Sequence, residues 1–257
     1  MSDVGRMKRL VNFILPAGVF VAWELFTRYG DIPGILLPPP EEVFHAFLGL
    51  CQSGELAEHI GMSAFRTMTG FVLASLTGII LGVGLACSEP AHRLLDFTIE
   101  ALRLTPPLAL IPLLILWLGI DEAPKIAIVF LSSFFPIYLN TFNSVRGVDP
   151  KLKELARLLN FSPSETFRLL TLPASIPGIL TGLRLGFGYS WRALVGAELI
   201  AAASGLGFMI SESAEFGKTE TVFVGILTIV VLGIGADKFI SWLFDRTLNV
   251  HGGLKQK

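Results

Sequence analysis

DPKLKELARLLNFSPSETFRLLTLP, residues 149–173, is a polar island of two short helices between two long apolar segments. The first helix has its start and stop written in sequence. Asp149 offers a carboxylate to orphan N–H groups, and Pro150 follows at the first helical position, where a missing N–H costs nothing. Leu152, Leu155, Ala156 and Leu159 recur at helical spacing, while Lys151, Lys153, Glu154 and Arg157 decorate the other faces. Asn160 is a left-handed stop, the commonest choice after Gly. Ser162, Pro163 and Glu165 then spell a capping box for a second helix, whose apolar side is Phe167, Leu169 and Leu170.

The flanks decide the class. The chain has 257 residues, 52% of them hydrophobic and only 16% charged, and a mean hydropathy of +0.66. That is too apolar for a typical soluble domain and predicts an all-α, polytopic membrane protein. A formal net charge of −1 with no basic face argues against nucleic acid as a partner.

About six spans are expected. The first runs from Leu10 to about Phe26 behind Arg6, Lys8 and Arg9, with no small-x-small cleavage site, and reads as a retained anchor within 1–30. Residues 31–66 form a connector, where LLPPP stops a helix and Val43, Phe44, Phe47 and Leu48 give an interfacial face. A core of five helices, 67–245, follows. Span two, about Thr67 to Ala86, repeats small residues at Gly70, Ala74, Gly78, Gly82 and Ala86, so another helix can approach closely. Span three, about Pro106 to Gly119, is interrupted by Pro106, Pro107 and Pro112, as in broken helices that line a path. Span four covers about Ile126 to Val145, span five Ile176 to Ala203 and span six Val222 to Phe244, leaving 246–257 as a tail.

Six spans put both termini on one side. That side gathers Arg6, Lys8, Arg9, Arg93, Arg103, Arg146, Lys151, Lys153, Arg157, Arg168, Lys238, Arg246, Lys255 and Lys257; the other has Arg28, Arg66, Lys125 and Lys218. The positive-inside rule therefore makes the island and both termini cytoplasmic.

Span five is the most loaded. Gly178, Gly182 and Gly186 make a second close-packing stripe, and Arg184, Arg192 and Glu198 are ionisable at membrane depth. Arg192 either attracts an anionic substrate or pairs with a carboxylate of a neighbouring helix; Arg184 snorkels towards the cytoplasm. Six residues separate Arg192 from Glu198, which puts them on different faces. Asn140, near the end of span four, joins Arg192 and Glu198 as a candidate for a translocation path.

No residue is expected to be catalytic. Gly217-Lys218-Thr219 mimics the end of a phosphate-binding loop, but the earlier Gly that such a loop needs is Glu212. His45, His59, His92 and His251 are isolated, and Cys51 and Cys87 suggest neither a disulfide framework nor a metal site. No cofactor is implied.

The island also resembles a known motif: Glu-Ala-Ala, three residues, Gly, nine residues, an Ile-like residue, one more, then Leu-Pro. Here it is Glu154-Leu155-Ala156, Asn160, Leu170, Leu172 and Pro173, with every spacing kept. This is similar to the signature loop of the membrane subunits of ATP-binding-cassette importers. Leu155 and Asn160 depart from it, the second by the best non-Gly substitute for left-handed backbone. LLPPPEEV (36–43), RLTPPLALIPLLILWLGIDEAPKI (103–126), FPIYLNTFNSVRGVD (135–149) and AELIAAASGLGFMI (197–210) resemble the nitrate, aliphatic sulfonate and taurine branch, aliphatic sulfonate permeases above all.

The resemblance implies a type I importer permease fold in a prokaryotic inner membrane. It also implies an ATP-binding partner subunit on the cytoplasmic face, an extracytoplasmic substrate-binding protein and a second copy of the chain. Glu154, Ala156, Asn160 and Pro173 would carry coupling to the ATPase, with Phe161 and Phe167 filling its groove. An ion-coupled secondary transporter is the alternative; it predicts paired half-repeats, which the sequence lacks. An integral-membrane enzyme is disfavoured by the absence of any His, Asp or Cys cluster at a membrane surface.

Overall fold

A computed structural model describes the backbone of residues 3–251 and the side chains of 14–244 and 246. Among these residues there is no strand. The helices are α1 (Asp3–Tyr29), α2 (Pro40–Ser53), α3 (Glu55–Cys87), α4 (Glu89–Leu104), α5 (Ile111–Leu118), α6 (Glu122–Arg146), α7 (Pro150–Leu158), α8 (Pro163–Thr166), α9 (Leu172–Ala201), α10 (Leu206–Glu215) and α11 (Thr219–His251). Among the described residues, four helical runs are long and apolar enough to cross a membrane: Glu55–Cys87, Glu122–Arg146, Pro163–Ala201 and Thr219–Phe244. A fifth forms if α4 and the run Pro107–Leu118 make one bent span. The span expected over 10–26 lies in α1 and begins in residues whose side chains are outside the described set. The end of the expected tail, 252–257, is also outside it.

α6 is the central post. Its most extensive contacts are with α9 and α3, and 44% of its apolar stretch is buried against 11% for α11. The small-residue stripes explain why. A Cβ added at Gly82 of α3 would stand 2.8 Å from Cβ of Thr141, and one at Gly182 of α9 would stand 2.8 Å from Cβ of Asn140. Neither seam admits a larger residue at this spacing. Because α3 and α6 touch in rising order (Gly70 with Val129, Gly82 with Thr141), they run parallel. α9 touches α6 in falling order (Gly178 with Ser144, Gly186 with Ile137) and runs antiparallel. One end of this three-helix post therefore carries the 149–173 loop, and the other carries the starts of α3 and α6 with the end of α9.

Two boundaries differ from the sequence expectation. α3 begins at Glu55, not near Thr67, and its 33 residues span about 50 Å at 1.5 Å per residue, well beyond a hydrocarbon core of about 30 Å. Polar Glu55, Glu58, His59 and Arg66 had masked its first three turns as connector. Likewise α11 continues to His251, past the tail boundary at 246.

The proline-rich third span is broken where expected, but neither half crosses alone. Thr105 and Pro106 are extended (ψ 120° at each), because each precedes a proline. A 3-10 turn, Pro107–Leu110, leads into α5, whose eight residues reach only about 12 Å. α4, read from sequence as a charged turn with an amphipathic stretch, is therefore the other half, set at 87° to its continuation.

Candidate functional site

At the loop end, every cap read from sequence is present. The Asp149 carboxylate accepts from Lys151 N–H at 2.9 Å. Asn160 sits at φ +55°, the sole non-glycine residue at positive φ among the described residues. Around it Phe161 N–H donates to Ala156 O (2.9 Å) and Asn160 N–H to Arg157 O (3.0 Å), the paired bonds of a Schellman stop. Ser162 N–H donates to Glu165 Oε2 (2.8 Å) and Glu165 N–H to Ser162 Oγ (3.3 Å), closing the capping box.

The island does not end before the next span. α8 passes through one π turn, Phe167–Thr171, straight into α9, with Leu172 N–H donating to Phe167 O. Pro173 supplies a reason: it has no N–H, and its ring crowds the carbonyl four residues earlier, which a widened turn relieves.

Within the loop, the side chains divide. Ala156 is 1% exposed and faces the bundle, so it seats the loop and presents nothing outward. Phe161 and Phe167, half-buried, line a cavity between the loop and the loop-end termini of α3 and α6; they point towards the bundle. What the loop presents outward is Glu154 together with Leu155, Leu159 and Leu158, the last 80% exposed. Pro173 is exposed in the first turn of α9.

At mid-height, Arg192 is exposed with no hydrogen bond or ion pair among the described residues. It lines a cavity of about 630 Å³ with Arg103, Ser132, Phe135, Pro136 and Tyr189, between the 3-10 turn, α6 and α9. Of the two sequence readings, pairing with a neighbouring carboxylate is not what the structure contains. Arg184, in contrast, is held by Asp237 of α11 through Nε (2.9 Å) and Nη2 (2.8 Å). Asn140 is outside the cavity: its Nδ2 donates to Pro136 O at 2.8 Å, and its Cβ closes the seam at Gly182.

The far end contains a constellation that sequence reasoning missed. Arg66, read as an ordinary flanking charge, is 0% exposed. Its five N–H donors are all satisfied: Nε and Nη2 by Glu122, Nη1 by Glu198 Oε1 (2.6 Å) and Ser204 O (2.7 Å), and Nη2 also by Ser204 Oγ (3.0 Å). Glu198, expected on a path, is 1% exposed. It accepts from Ser63 Oγ at 2.9 Å and from Gly207 N–H at 3.0 Å. Its partner is therefore Arg66, a helix away, consistent with its being on a different face from Arg192.

His59, read as isolated, accepts Gly205 N–H on Nδ1 at 3.1 Å. Lys125, another flanking charge in the sequence reading, is buried and donates to Asp121 O at 2.9 Å and Glu122 Oε1 at 3.4 Å. Gly205, at φ +108°, has no room for a Cβ, which would collide with the Glu198 carboxylate. The cluster thus balances two cations against two carboxylates and ties α3, α6, α9, the 204–205 turn and the start of α10 together. Its polar valences are used internally, so it serves as a brace.

Several comparisons agree with this geometry. Residues 74–249 match the family described as binding-protein-dependent transport system inner membrane component. The chain is 40% identical over 244 residues to the putative aliphatic sulfonates transport permease protein of Bacillus subtilis (strain 168), covering 95% of this chain and 87% of that one. It is 41% identical over 229 residues to the protein of the same description in Escherichia coli (strain K12), covering 89% and 87%. An amino acid ABC transporter crystallised with histidines has the same fold, with a TM-score of 0.64 at 18% identity over 80% of this chain and 96% of that one. The chain belongs to the binding-protein-dependent inner membrane components, the permease subunits of ATP-binding-cassette importers.

Proposed function

We propose that this permease imports aliphatic sulfonates, paired within the membrane with a second copy of itself, with two ATP-binding subunits on the cytoplasmic face and an extracytoplasmic binding protein. The observation that carries the reading is the 149–173 loop: its helices are capped at Asp149 and Ser162, the first is stopped by a left-handed Asn160, and Leu155, Leu158 and Leu159 stand bare to solvent. Exposed leucines on a polar loop are unfavourable unless a partner covers them. The substrate class follows the two relatives above, which are named for aliphatic sulfonates; taurine and nitrate-like anions share the same chemistry of a compact oxyanion.

The loop end is cytoplasmic, and with it both termini. Of the four cations on the opposite side, Arg66 and Lys125 are internal and Arg28 pairs with Glu24 at 2.9 Å, which leaves that surface poorer still in free positive charge. Arg192 is the element of the path nearest a substrate. An arginine at mid-span costs about 2.5–3.5 kcal/mol against hydrocarbon, so its face opens on water or on the second copy, where it draws an anion inward.

The test is to purify the tagged chain in mild detergent and then measure uptake of an alkanesulfonate after reconstitution. An ATP-binding subunit should co-purify, and Glu154→Lys should abolish ATP-driven uptake while insertion is unchanged. Arg192→Leu should lower uptake with the subunits still associated. Transport without ATP by the chain alone would restore the secondary transporter, and unchanged rates in Arg192→Leu would return that residue to a structural role.

A further inference from the structure

A cavity of about 500 Å³ lies between the coupling loop and the loop-end termini of α3 and α6. That is within the range of pockets for small ligands. Three cations line it, Arg146 of α6 and Lys153 and Arg157 of α7, and no carboxylate does. Arg146 is partly neutralised by Glu89, 2.6 Å away, but Glu89 also receives Arg93 at 2.9 Å. Lys153 and Arg157 have no ion pair among the described residues. They stand one turn apart, an arrangement that is self-repelling on an isolated helix. A helix C-terminus accounts for Arg157 in the last turn, but not for Lys153 near the start, where a cation opposes the macrodipole. The nearby carboxylates are engaged or turned away: Asp149 and Glu165 are spent on caps, and Glu154 faces out. The remaining walls are mainly apolar, led by Val145, Phe161 and Phe167, with Thr166 and Thr171 adding two hydroxyls.

We propose that this cavity binds a small tetrahedral oxyanion carrying an apolar substituent, a sulfonate or an organic phosphate, which ties the coupling loop to α3 and α6. Two cations without partners beside an apolar wall fit an amphiphilic anion and disfavour a bare, strongly hydrated one. The anion reaches the site either free from the cytoplasm or as the headgroup of an acidic lipid. Its effect on coupling rests on reading the loop as the ATPase contact; its binding does not.

Cys87 provides the readout, because it lines the cavity and its thiol is exposed, while exposed Cys51 lies on α2, remote from it, as an internal standard. The complex with its ATP-binding subunits is placed in phosphatidylcholine nanodiscs, and alkylation of each cysteine is followed by peptide mass spectrometry. With ethanesulfonate at about ten times its dissociation constant, Cys87 should label roughly tenfold more slowly, with Cys51 unchanged. Protection without added anion in phosphatidylglycerol nanodiscs would assign the site to lipid. In either case Lys153→Ala with Arg157→Ala should abolish it. Equal labelling under every condition, or protection that survives the double substitution, overturns the proposal. Failure of the coupling reading has a separate signature, since the ATP-binding subunit would then be missing from the preparation.

Discussion

The two ends of the α3–α6–α9 post use charge in opposite ways. At one end Arg66, Glu198 and Lys125 are enclosed with half-buried Glu122 beside them, and every donor of Arg66 is matched within the chain. At the other, Glu154, Lys153 and Arg157 have no partner among the described residues, and Leu158 stands in solvent. A buried arginine is tolerable only when its hydrogen bonds are complete, so the first end holds one geometry. The second is left incomplete, as the proposed docking of ATP-binding subunits requires. The lesson is that satisfied and unsatisfied polarity, more than charge itself, separates a brace from a docking surface.

The contrast breaks hardest at Arg66. Arg66→Met strands the buried Glu198 carboxylate and the half-buried Glu122 and should cost about 3–5 kcal/mol, read as a large fall in the thermal midpoint of the detergent-purified protein. A midpoint close to the parent's would mean that water already reaches the cluster. Leu158→Asp asks the reverse question. It should leave that midpoint unaltered and weaken association with the ATP-binding subunit by about 2 kcal/mol, roughly thirtyfold. Equal loss of stability would make the loop end part of the core. The smallest effect is expected at Asn160. Asn160→Ala puts a left-handed penalty of about 1 kcal/mol on the loop, seen as faster hydrogen exchange in 149–173 with α6 and α9 unaffected, and Asn160→Gly should restore slow exchange.

What was legible in the sequence was what local rules govern. The caps at Asp149 and Ser162, the stop at Asn160, the glycine seams and the break at Pro106 all depend on neighbours within a turn or on a helical repeat. Which way a side chain points relative to a third element does not. Hence Phe161 and Phe167 turn towards the bundle, and Asn140 into a seam. Arg66 was missed for a related reason. Polar residues in the first three turns of α3 resemble a connector, and its partners Glu122 and Glu198 lie 56 and 132 residues away in sequence. One signal was available: Arg66 and Glu198 are solitary charges of opposite sign in apolar surroundings, the second close to Gly205 and Gly207, which leave room for a carboxylate.

The π turn at Phe167–Thr171 sets the angular phase between loop and span. A π turn holds one residue more than the α-helix it interrupts, and a residue is worth about 100° of rotation and about 1.5 Å of rise. The extra residue is taken up in the widened turn, so removing it there would close the turn to an α one and leave Leu155 and Leu158 nearly in phase with α9, whereas a residue added or removed in the regular turns of α9 would swing them by more than a quarter turn. The widened turn thus keeps the outward face of the loop in register with the span while absorbing one residue of chain length.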